Sequence, residues 1–118
     1  QSDDALRTAE RALALAREHQ HTGPEAHALR VLGDIHTSGV RPTLERAEAS
    51  YRAALGLAKE IGMRPLIAHC HAGLAKLYCR TGKRSESDEY FATATTMYCE
   101  MSITYWSYTV ERARRELA

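Results

Sequence analysis

The sequence predicts an all-α fold: a right-handed α-solenoid of antiparallel helix hairpins, about six helices in one domain spanning residues 1–118. Apolar residues recur at three-and-four spacing along most of the chain, the period of a helix with one buried face. Gly23-Pro24, Gly39, Gly62 with Pro65, and Gly82 punctuate that pattern at helix length. The stretches between them repeat at an offset of 40 to 42 residues, two helices to a copy. A hairpin that thin has nothing of its own to bury its apolar face against and has to stack on its neighbours.

Ser2-Asp3-Asp4 offers a cap and acidic residues at the positive end of a first helix, Asp3 to about His19. Its apolar face is Leu6, Ala9, Leu13 and Ala16, widened by Ala5, Ala12 and Leu15, and Thr22-Gly23-Pro24 is expected to break it. A second helix, Pro24 to Thr37, turns Ala28, Val31, Leu32 and Ile35 inward and ends at Ser38-Gly39. Arg41-Pro42-Thr43 opens a third, Thr43 to Ile61, which buries Ala47, Tyr51, Ala54, Leu55 and Ala58 and is capped by Gly62. Pro65 starts the fourth, which Gly82 closes. A fifth follows to about Met101, with Ser85 and Asp88 as a weak capping box. A sixth, Thr104 to Leu117, carries Trp106, Val110, Ala113 and Leu117 on one side.

The copies align at one offset without a gap and at a second after the loop following Gly39, which is two residues longer. Ala12 to Glu18 recurs 42 residues on as Ala54 to Glu60, and the same offset carries Ala5 to Ala47, Ala26 to Ala68, His27 to His69 and Leu32 to Leu74. The next copy comes at 40, taking Tyr51 to Phe91, Ala54 to Ala94, Glu60 to Glu100 and Leu66 to Trp106. The domain therefore reads as a partial repeat (3–21), two full repeats (24–61 and 64–101) and a C-terminal capping helix (104–117). The stretch 66–100 is the fullest hairpin. In it Ala68, Gly73, Ala75 and Ala94 allow close helix contact, while Leu74, Leu77, Tyr78, Phe91 and Met97 fill the space between.

Composition narrows the function classes. Sixteen basic and 15 acidic side chains leave a formal charge of +1, too little to hold a nucleic acid by counterion release. No apolar run approaches the roughly 18 residues of a membrane span. Three cysteines, Cys70, Cys79 and Cys99, fall within helical patterns and read as small buried thiols in a reduced, cytoplasmic setting. The chain enters a helical pattern almost at once, as a piece of a longer protein would. No Gly-rich phosphate loop occurs, and Cys79 with His36 or His69 is the sole conceivable nucleophile and base, so no enzyme activity, catalytic residue or cofactor is expected. His69 and His71 point about 200° apart on a helix, so no metal site is expected either.

The hairpin pattern Leu29, Leu32-Gly33, His36, Ala47, Tyr51, Ala54, with its next copy His71, Leu74-Ala75, Tyr78, Ser87, Phe91, Ala94, resembles the tetratricopeptide-repeat family over essentially the whole chain. His36, Ala75, Ser87 and Ala9 depart from the family pattern. The repeat is longer than the usual ~34 residues. It resembles the long-repeat C-terminal tails of large bacterial signalling ATPases, nucleotide cyclases and transcription activators. The resemblance implies a scaffold that binds a protein or peptide along the groove lined by the first helix of each hairpin.

Counted from the packing positions, the groove residues are His27, Arg30, Asp34 and Thr37 or Ser38, then His69, Ala72, Lys76, Cys79 and Arg80, with Thr109, Arg112 and Glu116 from the last helix. The excess of Arg, Lys and His suits an acidic peptide. The bland alternative is a solvated groove wall without a specific ligand. Some of the family binds a peptide carboxylate through a Lys/Asn/Lys/Arg clamp; the matching positions here hold Arg30 and Asp34, then Ala72 and Lys76, without the asparagines, so capture of a chaperone tail is not expected. Two other readings stand beside peptide binding: a small-molecule sensor tail of a signalling ATPase or cyclase, and self-association as a homodimer through the exposed edge of the first helix at Leu6, Ala9 and Leu13.

Overall fold

Helical periodicity and the glycine and proline breaks translate into five α-helices among the described residues, which are 2–38 and 43–117 of the computed structural model. They are α1 (Ser2–Glu18), α2 (Thr22–Thr37), α3 (Leu44–Ile61), α4 (Arg64–Arg80) and α5 (Arg84–Leu117). The expected roles of Gly39, Arg41 and Pro42, and the packing of the Trp106, Val110 and Leu117 side chains, lie outside the described residues. The fold is all-α.

The helix ends show how the chain sets its own lengths. Gly62 takes the left-handed conformation (φ 71°), and its N–H bonds back to the carbonyls of Ala58 and Lys59. Pro65 follows in the first turn of α4, where its missing N–H costs nothing. Gly82 (φ 80°) makes the corresponding turn after α4. The first break falls earlier than expected, at residues 19–21 rather than at Thr22-Gly23-Pro24. Gln20 supplies the left-handed turn (φ 56°) in place of a glycine, and the His21 N–H reaches the Ala16 carbonyl at 2.8 Å.

The expected sixth helix is not separate: α5 runs unbroken for 34 residues. The register of the repeat explains why. Forty residues after Gly62 stands Ser102, and forty after Pro65 stands Tyr105, so neither the left-handed cap nor the helix-starting proline is present. The Thr104 hydroxyl bonds the Glu100 carbonyl one turn back at 2.9 Å, within the continuous helix.

Each helix packs on the next, and α2 also meets α4, the contact that sets one hairpin beside its neighbour. The core is centred on α3, between α2 and α4, rather than on the α4–α5 hairpin that looks fullest in the sequence. Ala47, Tyr51, Ala54, Leu55 and Ala58 meet Ala26 and Leu29 on one side and Leu66, Cys70, Leu74, Leu77 and Tyr78 on the other. Tyr51 lies at its centre, 2 % exposed. A Cβ on Gly33 of α2 would stand 2.6 Å from the Tyr51 ring, and one on Gly73 of α4 would stand 2.5 Å from Tyr51 Cζ. The ring therefore occupies a slot that two bare backbones make for it.

Leu32 and Leu74 are buried, whereas Val31 and Ile35 are only half-buried. Phe91, expected to fill the α4–α5 hairpin, is 40 % exposed, because α5 does not turn back to cover it. Ser87, standing where the pattern has alanine, is 3 % exposed, and its hydroxyl donates to the Ala75 carbonyl at 2.8 Å. Only Cys70 of the three thiols is buried; Cys79 and Cys99 are exposed.

One substitution made at two glycines tests the slot. Gly73→Ala should lower the unfolding free energy by about 1–3 kcal/mol, since the methyl group has to displace a closely packed ring. Gly56→Ala, with nothing within 4 Å of its added Cβ, should raise it by about 0.5–1 kcal/mol through helix propensity. Urea unfolding of both variants gives the comparison, and equal effects would remove the slot.

Candidate binding cleft

Where α2 and α4 run side by side, their outward faces and the end of Tyr51 form an open cleft of about 330 Å³. Helical spacing brings its lining together: Arg30, Asp34 and Thr37 come from α2, Ser38 from its C-cap, and His69, Ala72, Gly73 and Lys76 from α4. Tyr98 closes it from α5.

The Tyr51 hydroxyl emerges from the core and donates to Asp34 Oδ1. Asp34 Oδ2 in turn accepts from Arg30 Nη1 at 2.8 Å, one helical turn away. A core side chain thus orients the carboxylate, and the carboxylate orients the guanidinium. Burial, then the bond to Asp34, pushes the Tyr51 hydroxyl well above its ordinary pKa, so it stays a donor. Arg30 Nε is buried at the cleft wall without a hydrogen-bond partner. Lys76 is exposed and has no ion-pair partner among the described residues.

His69 Nδ1 lies within hydrogen-bond reach of the Tyr98 hydroxyl, their rings 5.4 Å apart. Desolvation, helped by the positive charge of Arg30, holds the His69 pKa below its ordinary value. A neutral His69 accepts from Tyr98, leaving Arg30 and Lys76 as the two cations of the cleft against the single carboxylate of Asp34. The surface can take a hydrogen-bonding anion; it holds no nucleophile set against a base.

Of the residues expected to line one groove, Arg30, Asp34, His69 and Lys76 come together. His27 faces a different concavity. Arg80 donates to the Thr37 carbonyl and so caps the C-terminal end of α2 rather than standing free for a ligand. Arg112 lies far along α5, paired with Glu116 at 3.4 Å. Tyr51 and Tyr98 were missed because a groove lined by first helices alone leaves out α3 and α5. Tyr98 does carry a signal: its counterpart forty residues earlier is Ala58, fully buried, and a tyrosine there departs from the packing rule.

His27 belongs to the groove between α1 and α2, about 670 Å³, walled by Ala5, Ala9, Ala12, Ala28, Val31 and Ile35. This is the first-helix edge, built from alanines rather than from Leu6 and Leu13. Leu13 packs inward against the core. On the far side of α4, Tyr78 donates to Glu48 at 2.5 Å and accepts from Arg52, tying α3 to α4. That bond, helped by Arg52, holds the Glu48 carboxyl below its ordinary pKa against the opposing effect of burial. His71 stacks on Tyr90 with ring centroids 5.4 Å apart. His71 and His69 thus face different partners on opposite sides of α4. Among the described residues no three His, Cys, Asp or Glu side chains cluster as metal ligands would, and no helix is long and apolar enough to cross a membrane.

Comparison with protein-family models, with curated proteins and with solved structures finds no match to this chain.

The histidines give a pH dependence with a defined sign. His71, with Nδ1 buried and unpartnered, has its pKa lowered by desolvation, as does His69. The unfolded chain therefore binds more protons than the folded one as pH falls through the ordinary histidine value of 6.5. Stability should be full above that value and decline below it. The urea midpoint is expected to be lower at about pH 5.5 than at about pH 7.5, with a smaller difference in His71→Asn. A midpoint that rises on acidification would contradict the assignment.

Proposed function

We propose that the chain is a protein-interaction module of tetratricopeptide-like hairpins whose cleft holds an acidic segment of a partner. The observation that carries this reading is the placement of Arg30 and Lys76, the two cations of one open cleft, against the single carboxylate of Asp34. Two donors on adjacent helices suit a carboxylate presented by an extended peptide, which would bond Arg30 and Lys76 while lying against Tyr98 and Ala72. The Tyr51–Asp34–Arg30 relay fixes the guanidinium beforehand, so little side-chain freedom is lost on binding.

The 40-to-42-residue repeat supports a scaffold role, and its resemblance to the tails of bacterial signalling proteins supports a place in a larger cytoplasmic regulator. No catalytic step is assigned to the module. A small molecule would find fewer enclosing walls here than an extended chain finds length.

Lys76→Glu should weaken binding of fluorescent peptides carrying Asp and Glu clusters by about tenfold, without lowering Tm. Raising salt from about 0.05 to 0.5 M should weaken wild-type binding in the same direction. Peptides that bind Lys76→Glu as well as wild type would remove the cleft from the reading.

A further inference from the structure

His69 and Tyr98 set the last copy of the repeat apart from the one before it. His69 has a counterpart in His27, but Tyr98 stands where the earlier copy has the buried Ala58, so the hydroxyl on the later histidine has no earlier equivalent. Both side chains are exposed on the wall of the α2–α4 cleft. The bond between them works in two directions. While His69 is neutral, its Nδ1 accepts from the Tyr98 hydroxyl. Once Nδ1 carries a proton it donates, the same oxygen accepts, and the Tyr98 O–H is released without any heavy atom moving.

The surroundings keep that proton off in the chain alone. Desolvation opposes it first and the Arg30 guanidinium of α2 next; Asp34 of α2 favours it, and His27 of α2 opposes it. Lys76, on α4 itself, adds a further positive charge to the cleft. Tyr51 of α3 and Tyr98 of α5 keep their hydroxyl protons, chiefly because burial disfavours the charged form, and so stay neutral. Asp34 is already engaged by Arg30 and by the Tyr51 hydroxyl. A charged His69 therefore lacks a carboxylate of its own. An acidic segment lying across Arg30 and Lys76 brings one. It offsets the cations that oppose the proton, and it accepts from the O–H that the proton releases.

Resting on the acidic-segment reading of the cleft, we infer that His69 is a ligand-coupled third cation, which gains a proton from solvent at Nδ1 as the segment binds. Tyr98 then donates to a ligand carboxylate instead of to the histidine. Proton and peptide favour each other reciprocally, so the module binds more tightly as pH falls.

Titration calorimetry with peptides carrying Asp and Glu clusters, in buffers of low and of high ionisation enthalpy, counts the protons. Wild type should take up roughly half a proton per peptide near pH 6.5 and bind about fivefold tighter at about pH 6 than at about pH 8. The peptide carboxylates are ionised throughout that range, so the uptake belongs to the protein. His69→Gln should abolish the uptake and flatten the pH profile, whereas His27→Gln should leave the uptake in place. Wild-type binding without proton uptake overturns the inference and leaves the acidic-segment reading standing. Uptake that survives His69→Gln overturns it equally, and an absence of binding at every pH overturns both.

Discussion

The arrangement of helices depends on one ring. Tyr51 stands between α2 and α4 in contact with both, and neither helix could approach it with a side chain at position 33 or 73. The two glycines give up helix propensity, on the order of 1 kcal/mol each, and in return the large ring is almost wholly removed from water. Truncating such a ring typically costs about 3–5 kcal/mol, so the exchange favours the packed state. The same contact fixes the spacing of α2 and α4, and that spacing is the width of the cleft.

The ring also couples core to surface. Its hydroxyl is the polar end of a buried side chain and needs a partner. Asp34 meets that need on the cleft wall, and Arg30 then takes its orientation from Asp34. The geometry of the candidate site follows from core packing by two hydrogen bonds, with no loop involved. A site carried on helix faces in this way keeps its polar groups in register as long as the core stays intact.

Helix positions were legible in the sequence wherever glycine or proline marked an end, as at Gly62, Pro65 and Gly82. The first break was misplaced because a left-handed turn at Gln20 has no residue signature, its backbone being satisfied by carbonyls at the end of α1. The sixth helix was over-read by extending the repeat to a copy that lacks the residues which make the turn. Within the cleft, Arg30, Asp34, His69 and Lys76 were legible because residues three, four and seven apart share a helix face. Arg80 and Arg112 followed the same spacing, yet neither stands free in the cleft. One is drawn to a backbone carbonyl at the end of α2, and the other lies on a part of α5 that never turns back. Spacing reports which face a residue occupies; it is silent on what that face meets.

The Ser87 hydroxyl on the Ala75 carbonyl shows that the copies have diverged as matched pairs. Where one hairpin combines Gly33 with Ala47, the next combines Ala75 with Ser87, a methyl group and a hydroxyl standing in for bare backbone and a methyl. Tyr51 finds its slot only between a hairpin with glycine at position 33 and one with glycine at position 73; Val31 holds the latter's place one copy earlier and Ala113 one copy later. The units can no longer be shuffled. Duplicating the first hairpin or deleting the second would drive a methyl or larger group into the tyrosine ring, so the order of these two hairpins is fixed by the shapes of their own neighbours.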